Sequence, residues 1–172
     1  ELSGSDNTDT YGIEAYAGYL TADDLSFTAV SNTVTGFDLG VGIYQLSSTS
    51  GVFTGVTVNG NSIAGNDTGL YSNVDYLTVE AEGDWWGSSD PEMVAGVISG
   101  SVDYTPWLAS GPDTESTVPG FQGDFSELWV DDDSPQIGSS GRIQEGIDLV
   151  AGSTISVAAG TYAGKVTVDK SV

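Results

Sequence analysis

The densest run of chemistry-bearing side chains in the sequence is Asp131-Asp132-Asp133, three consecutive carboxylates. Hard oxygen donors on a flexible segment suit calcium, which takes roughly six to eight oxygen ligands. A solvated acidic turn is the competing reading, and Asp23-Asp24 is a weaker version of the same feature. The only basic side chains are Arg142, Lys165 and Lys170, and no basic cleft for an acidic substrate accompanies them. Carboxylate pairs can run general acid/base chemistry, but sequence spacing singles out no pair here. The absence of cysteine and histidine excludes thiol chemistry, Cys/His zinc sites and Ser-His-Asp triads. Asn66-Asp67-Thr68 is the one N-glycosylation sequon, on a predicted turn.

These side chains must be positioned by short strands and tight turns. The chain has 172 residues with 24 Gly, 5 Pro and abundant Val, Thr, Tyr and Ser. Its net charge is −22, which makes nucleic acid and anionic membranes poor partners and divalent cations, high salt or a cationic matrix better ones. No stretch reaches the ~18 apolar residues of a membrane span. Residue 1 is Glu, which points to a processed, excised or repeated unit.

Internal repeats set the architecture. Gly12-Ile13, Gly42-Ile43 and Gly69-Leu70 recur at nearly equal intervals, and the segment from Asn32 to Asp38 matches the segment from Asn61 to Asp67. Phe27-Thr28 and Phe53-Thr54 sit near the same phase. A fixed period within roughly 20–50 residues marks a repeat architecture. With several short strands per period it predicts a parallel solenoid, with Val56, Val58, Ile63, Leu70 and Val79 inward and coils stacked ~4.8 Å apart. Asn32 and Asn61 are predicted as structural turn residues.

These residues resemble the right-handed parallel β-helix repeat proteins of the pectin-lyase-like superfamily, in particular NosD-like surface proteins of archaea and bacteria. The resemblance extends to Gly83-Asp84-Trp85-Trp86-Gly87 and to the run from Ser99 to Leu108. In such proteins this run tends to close the helix with an aromatic cap, here Trp85, Trp86, Tyr104 and Trp107. A carbohydrate-stacking platform on the same aromatics is the functional alternative. The resemblance also raises polysaccharide lyase or hydrolase chemistry, for which the required residue constellation is not evident.

Residues 109–125 lack any period and read as a linker. Beyond them Leu128-Trp129-Val130 predicts a strand, Arg142 to Val150 a helix with Ile143, Ile147 and Val150 on one face, and Gly152 its terminator. Thr154-Ile155-Ser156-Val157, Gly160-Thr161-Tyr162 and Lys165 to Val168 predict strands. This segment resembles the opening of the same superfamily, an amphipathic cap followed by a first coil. The order is therefore inverted: coils and closing cap over 1–108, linker over 109–125, opening cap and first coil over 126–172.

The two tips read as one strand: Lys165, Val166, Thr167, Val168, Asp169, Lys170, Ser171 and Val172 would run into Glu1, Leu2, Ser3 and Gly4. Asp6 and Asp9 flank that junction on one side and Asp131 to Asp133 on the other. Three arrangements satisfy the inverted order. The C-terminal coil folds under its own residue 1, across a linker that can extend roughly 55 Å; or it docks on the next copy; or the chain is one register of a covalent array. The expected protein is an all-β right-handed parallel β-helix with one short capping α-helix. It is expected to lie outside the cell, without enzymatic activity, and to assemble with itself into a filament, sheath or surface layer.

Overall fold

The computed structural model describes residues 2–3, 10–18, 24–46 and 51–170. Alternation of apolar and polar side chains shapes the strands. In β2 (Tyr11–Ala17), Ala17 is buried while Glu14 and Tyr16 face outward. β2 is the first rung of a parallel sheet that continues through β5 (Leu39–Gln45), β7 (Thr68–Ser72) and β9 (Ile98–Ser99). A second parallel sheet stacks β3 (Leu25–Val30), β6 (Phe53–Asn59), β8 (Val79–Glu80) and β10 (Val102–Asp103) in that order. On the third side β1 (Leu2–Ser3) pairs with β4 (Val34–Thr35), followed by bridges from Thr33 to Ser62 and from Ser62 to Trp85. The chain is a parallel β-solenoid of about five turns.

Its interior is a column of stacked aliphatics, among them Val41, Ile43, Val58, Ile63, Leu70, Val79 and Val102, all at most 1% exposed. Each contributes roughly 1.5–3 kcal/mol by leaving water. The start of the first sheet is kept tight by glycine. A Cβ on Gly40 would lie 2.7 Å from the Gly69 carbonyl oxygen and 2.9 Å from Ile63 Cγ2.

The pairing corrects the repeat register. Ile13 pairs with Val41, Val41 with Leu70 and Leu70 with Ile98. The recurring dipeptide is therefore Gly12-Ile13, Gly40-Val41, Gly69-Leu70. Gly42-Ile43, one pleat further on, is the wrong member of the series. Phe53 likewise pairs with Leu25, and Phe27 with Val56, so the two Phe-Thr pairs are not in phase; the register also shifts by one between Leu25 and Ser26. The asparagine alignment holds: Asn61 Oδ1 accepts from Asn32 N–H at 2.9 Å, and Asn61 Nδ2 donates to Asp84 Oδ1 at 3.0 Å.

The direction of the chain reverses after β11 (Trp107–Leu108). β12 (Glu127–Val130) runs antiparallel to β11, with Leu108 opposite Leu128, and β13 (Thr154–Val157) then runs parallel to β12. The predicted helix is α2 (Arg142–Leu149), packed on both strands. Of the predicted linker, 112–120 are exposed, but Phe121 is buried with Leu108, Leu128 and Val150, and its N–H donates to Ser31 O at 2.7 Å. A second helix, α1 (Pro91–Gly96), was not anticipated; Asp90 caps it by accepting the Glu92 N–H at 2.9 Å. No helix among the described residues is long and apolar enough to cross a membrane.

Two predicted strands are absent. Neither 160–162 nor 165–168 is in a strand. A solenoid strand exists by pairing with adjacent coils, and among the described residues nothing stacks beyond β13. These residues are held by side chains instead. Thr161 N–H donates to Asp132 Oδ2 at 2.6 Å and Thr167 N–H to Gln144 Oε1 at 2.8 Å.

Candidate functional site

The three consecutive aspartates follow directly from the end of β12. Their carboxylates converge, with one oxygen from each of Asp131, Asp132 and Asp133 within 4.8 Å of the others. Asp131 is buried, and Asp132 and Asp133 are more exposed. Burial pushes the Asp131 carboxyl above its ordinary range. A bond from the Asp132 N–H pulls it down, and the Asp133 and Asp132 charges push it further up. A divalent cation would relieve that like-charge crowding, so the donor set fits calcium. Asp131 and Asp133 also line an open cleft of about 670 Å³, together with Asp90, Glu92 and Trp129. Part of the donor capacity is already engaged: Asp131 Oδ1 accepts from Asp132 N–H at 2.7 Å, and Asp132 Oδ2 holds Thr161.

Beside this cleft, Arg142 is buried at 5% exposure at the start of α2. Its guanidinium donates to Asp103 Oδ1 in an ion pair, to Ser134 O at 2.6 Å and to Ser134 Oγ at 3.0 Å. The second Asp103 oxygen accepts the Ile137 N–H at 2.6 Å. One arginine thus ties β10, the segment after β12 and α2 together. Carboxylates outnumber it. Burial raises Glu82 to about 7, with the Asp103, Glu145 and Glu80 charges adding to the shift and Arg142 opposing it. Burial also raises Asp103 and Glu145.

Asp84 closes the asparagine ladder in full burial. Its Oδ1 accepts from Asn61 N–H at 2.6 Å and from Asn61 Nδ2. Burial nevertheless pushes the carboxyl well above the usual carboxylate range, which outweighs both bonds.

The aromatic cap is internal. Trp107 is fully buried, Trp86 is 4% and Tyr104 6% exposed, and Trp85 is half-buried. Trp107 stacks on Trp129 at 6.4 Å and meets Tyr104 at 6.1 Å. These rings fill the seam between the last parallel coil and the reversed unit. Of the expected platform of Trp85, Trp86 and Tyr104, Trp86 and Tyr104 are therefore buried rather than exposed, and Trp85 alone is partly open. An outward group of aromatics, with Tyr16 exposed and Tyr44 and Tyr71 half-buried, lies elsewhere. Tyr16 and Tyr44 stack at 5.0 Å on the outer face of the first sheet, and Tyr44 meets Tyr71 at 5.6 Å. Only the solenoid register, which aligns Tyr16 with Tyr44, makes that group visible.

The predicted junction residues are partly described. The backbone of Leu2 and Ser3 pairs with Val34 and Thr35, and Lys165 to Lys170 lie along the C-terminal unit. Glu1, Gly4, Ser171 and Val172, like Asp6, Asp9 and Asp23, fall outside the described residues. Lys170 Nζ donates to Val150 O at 2.6 Å and Asp148 O at 3.2 Å, satisfying the carbonyl end of α2. The C-terminal unit stacks on β11, at the far end from β2 and β3, so it does not fold back under the first coil of its own chain. Asn66 is engaged in the turn: Oδ1 accepts from Phe37 N–H at 3.0 Å and Nδ2 donates to Val34 O at 2.9 Å.

No family model matches this chain, and no curated protein or solved structure does either.

Proposed function

We propose that this chain is a structural subunit of an extracellular filament, sheath or surface layer, in which copies join head to tail by completing each other's solenoid. One observation carries the reading: among the described residues the stack has unpaired sheet edges at both ends, and apolar side chains lie open at each. At one end β2 and β3 are the terminal strands of their sheets, with Ile13, Ala15, Leu25 and Phe27 only partly buried. At the other, β13 is terminal, with Val157 at 43%, Val166 at 46% and Val168 at 59% exposure. Edges of this kind are templates for pairing. Two different edges meeting head to tail make a heterologous contact, which propagates unless it closes. The same contact serves separate subunits and covalent tandem copies.

Calcium at Asp131, Asp132 and Asp133 is the cofactor this reading carries, stiffening the reversed unit that bears one of the two edges. Light scattering across a concentration series, with electron microscopy of the same samples, tests the assembly. Species growing beyond dimer are expected. A monodisperse monomer at every concentration, with and without calcium, would overturn it.

A further inference from the structure

Resting on the head-to-tail reading, we infer that the acceptor surface for the next copy is the apolar groove of the C-terminal unit, and that its β13 pairs in parallel with β2 of that copy so that Ile155 stands against Ile13. The groove, of about 400 Å³, lies between α2, β13 and the 166–168 segment, lined by Ile143, Ile147, Ile155, Val157, Val166 and Val168. Among the described residues its outer side is uncovered. The face that matches it is the first coil, where Ile13 and Ala15 of β2 and Leu25 and Phe27 of β3 present the partly covered end of the core.

Side-chain alternation restricts the register. In β13, Ile155 and Val157 pair with Leu128 and Val130, which are fully buried, so both stand on the inward face. In β2, Ile13 and Ala15 pair with the buried Val41 and Ile43 and are inward as well. A slip of one position would set Val157 against the outward Glu14 and turn an apolar row to the outside. Among the registers that keep inward on inward, strand length leaves two, Ile155 against Ile13 or against Ala15. Only the first covers the partly open Ile13, because the second sets Val157 on the already buried Ala17. With Ile155 against Ile13, all of β13 from Thr154 to Val157 lies within β2, opposite Gly12 to Ala15. Moving Val157 to face Ile13 would instead push Thr154 past Tyr11, the first residue of β2, and leave it unpaired. The selected register also fits by volume: the open Val157 covers the small Ala15, and Ile155 continues the row of Ile13, Val41, Leu70 and Ile98. A rung of this row offers the ~4.8 Å spacing of parallel neighbours, with aliphatic side chains stacked like on like.

Charge points the same way. Both lysines, Lys165 and Lys170, belong to the groove end, whereas β2 and β3 carry the acid Glu14, with Asp24 beside them, and no basic residue. Two first-coil ends would set acid against acid. The groove end also carries Glu145, Asp148 and Asp169, and Lys170 is held on the carbonyl end of α2, so groove against first coil is the pairing that brings Lys165 to those acids.

The absence of native cysteine makes the register directly measurable. On this alignment Ser156 faces Glu14 of the neighbouring copy on the outer surface. A disulfide forms only where Cα atoms lie within about 7 Å, which a paired rung satisfies and an offset of one further pleat does not. Mixing an S156C chain with an E14C chain under copper-catalysed air oxidation should give a disulfide heterodimer at several times the yield of a T154C and E14C mixture, which the register with Ile155 against Ala15 would favour. Equal yields, or the reverse order, in samples that light scattering shows to be associated would overturn the register and leave head-to-tail assembly standing. Absence of association in the unmodified chain would instead remove the assembly reading, and this inference with it. Lack of cross-linking in both mixtures despite association would place the contact on another face and also overturn the inference.

Discussion

Asp84 and Glu82 lie close in sequence and carry the clearest residue-scale consequences. Asp84 is an acid in full burial whose carboxyl, among the described residues, is bonded by Asn61 alone. Its folded pKa is raised, so its contribution is present below its unfolded value and is lost as pH rises toward the folded one. Asp84→Asn keeps the acceptor for Asn61 without the ionisable proton. It should raise thermal stability at neutral pH relative to the parent while leaving stability near pH 4 little changed, as followed by circular dichroism melts. Glu82 behaves alike in a milder range. Raised to about 7, it favours the fold most below its ordinary carboxylate pKa, and the gain fades as pH climbs through about 7. Glu82→Gln should flatten the decline in melting temperature between pH 5 and pH 8. An unchanged slope would show that neighbouring carboxylates set it. The sequence offers these acids as undistinguished members of a crowd of 25. Burial separates both from the rest, with Arg142 acting on Glu82 as well, and neither is written in spacing.

At the scale of elements, the glycine ladder decides whether coils can stack. Gly12, Gly40 and Gly69 occupy one corner, where each added Cβ meets the backbone or side chains of the adjoining coil. Gly40→Ala must displace the Gly69 carbonyl, Asn66 and Ile63 together, and a cost of about 1–3 kcal/mol is expected for such overpacking. Urea denaturation would measure it. Gly55, with nothing within 4 Å of its added Cβ, is the control and should change stability far less. The existence of a repeat was readable in the sequence, but its phase was not. Gly40 and Gly42 in β5 both precede a β-branched residue, and only pairing with Gly69-Leu70 distinguishes them. The missed α1 had its signals in Asp90 and Pro91, but so short an element gives a helical period no room to emerge.

For the whole molecule, the reversed unit governs both stability and assembly. It is joined to the solenoid by one antiparallel strand pair, an aromatic seam and the Arg142–Asp103 pair. If calcium occupies the three aspartates, millimolar calcium should raise the melting temperature by several degrees, since ligand binding to the folded state alone stabilises by mass action. Asp131→Asn together with Asp133→Asn should abolish that response. A rise of the same size in the double variant would assign the effect to general screening of the −22 charge.

Alternation of side chains and recurrence of Asn and Gly already determined, from sequence, a parallel solenoid with an inward aliphatic column and one amphipathic helix near the C-terminus. Those features are local and periodic, and every coil repeats the same constraint. Tertiary structure alone decided that the chain reverses at β12, that Trp107 and Tyr104 are buried at that seam, and that residues 165–168 have no strand partner among the described residues. Each depends on which distant segment occupies the next rung, and the pattern along a strand is the same whether that rung is filled by its own chain, by another copy or by nothing.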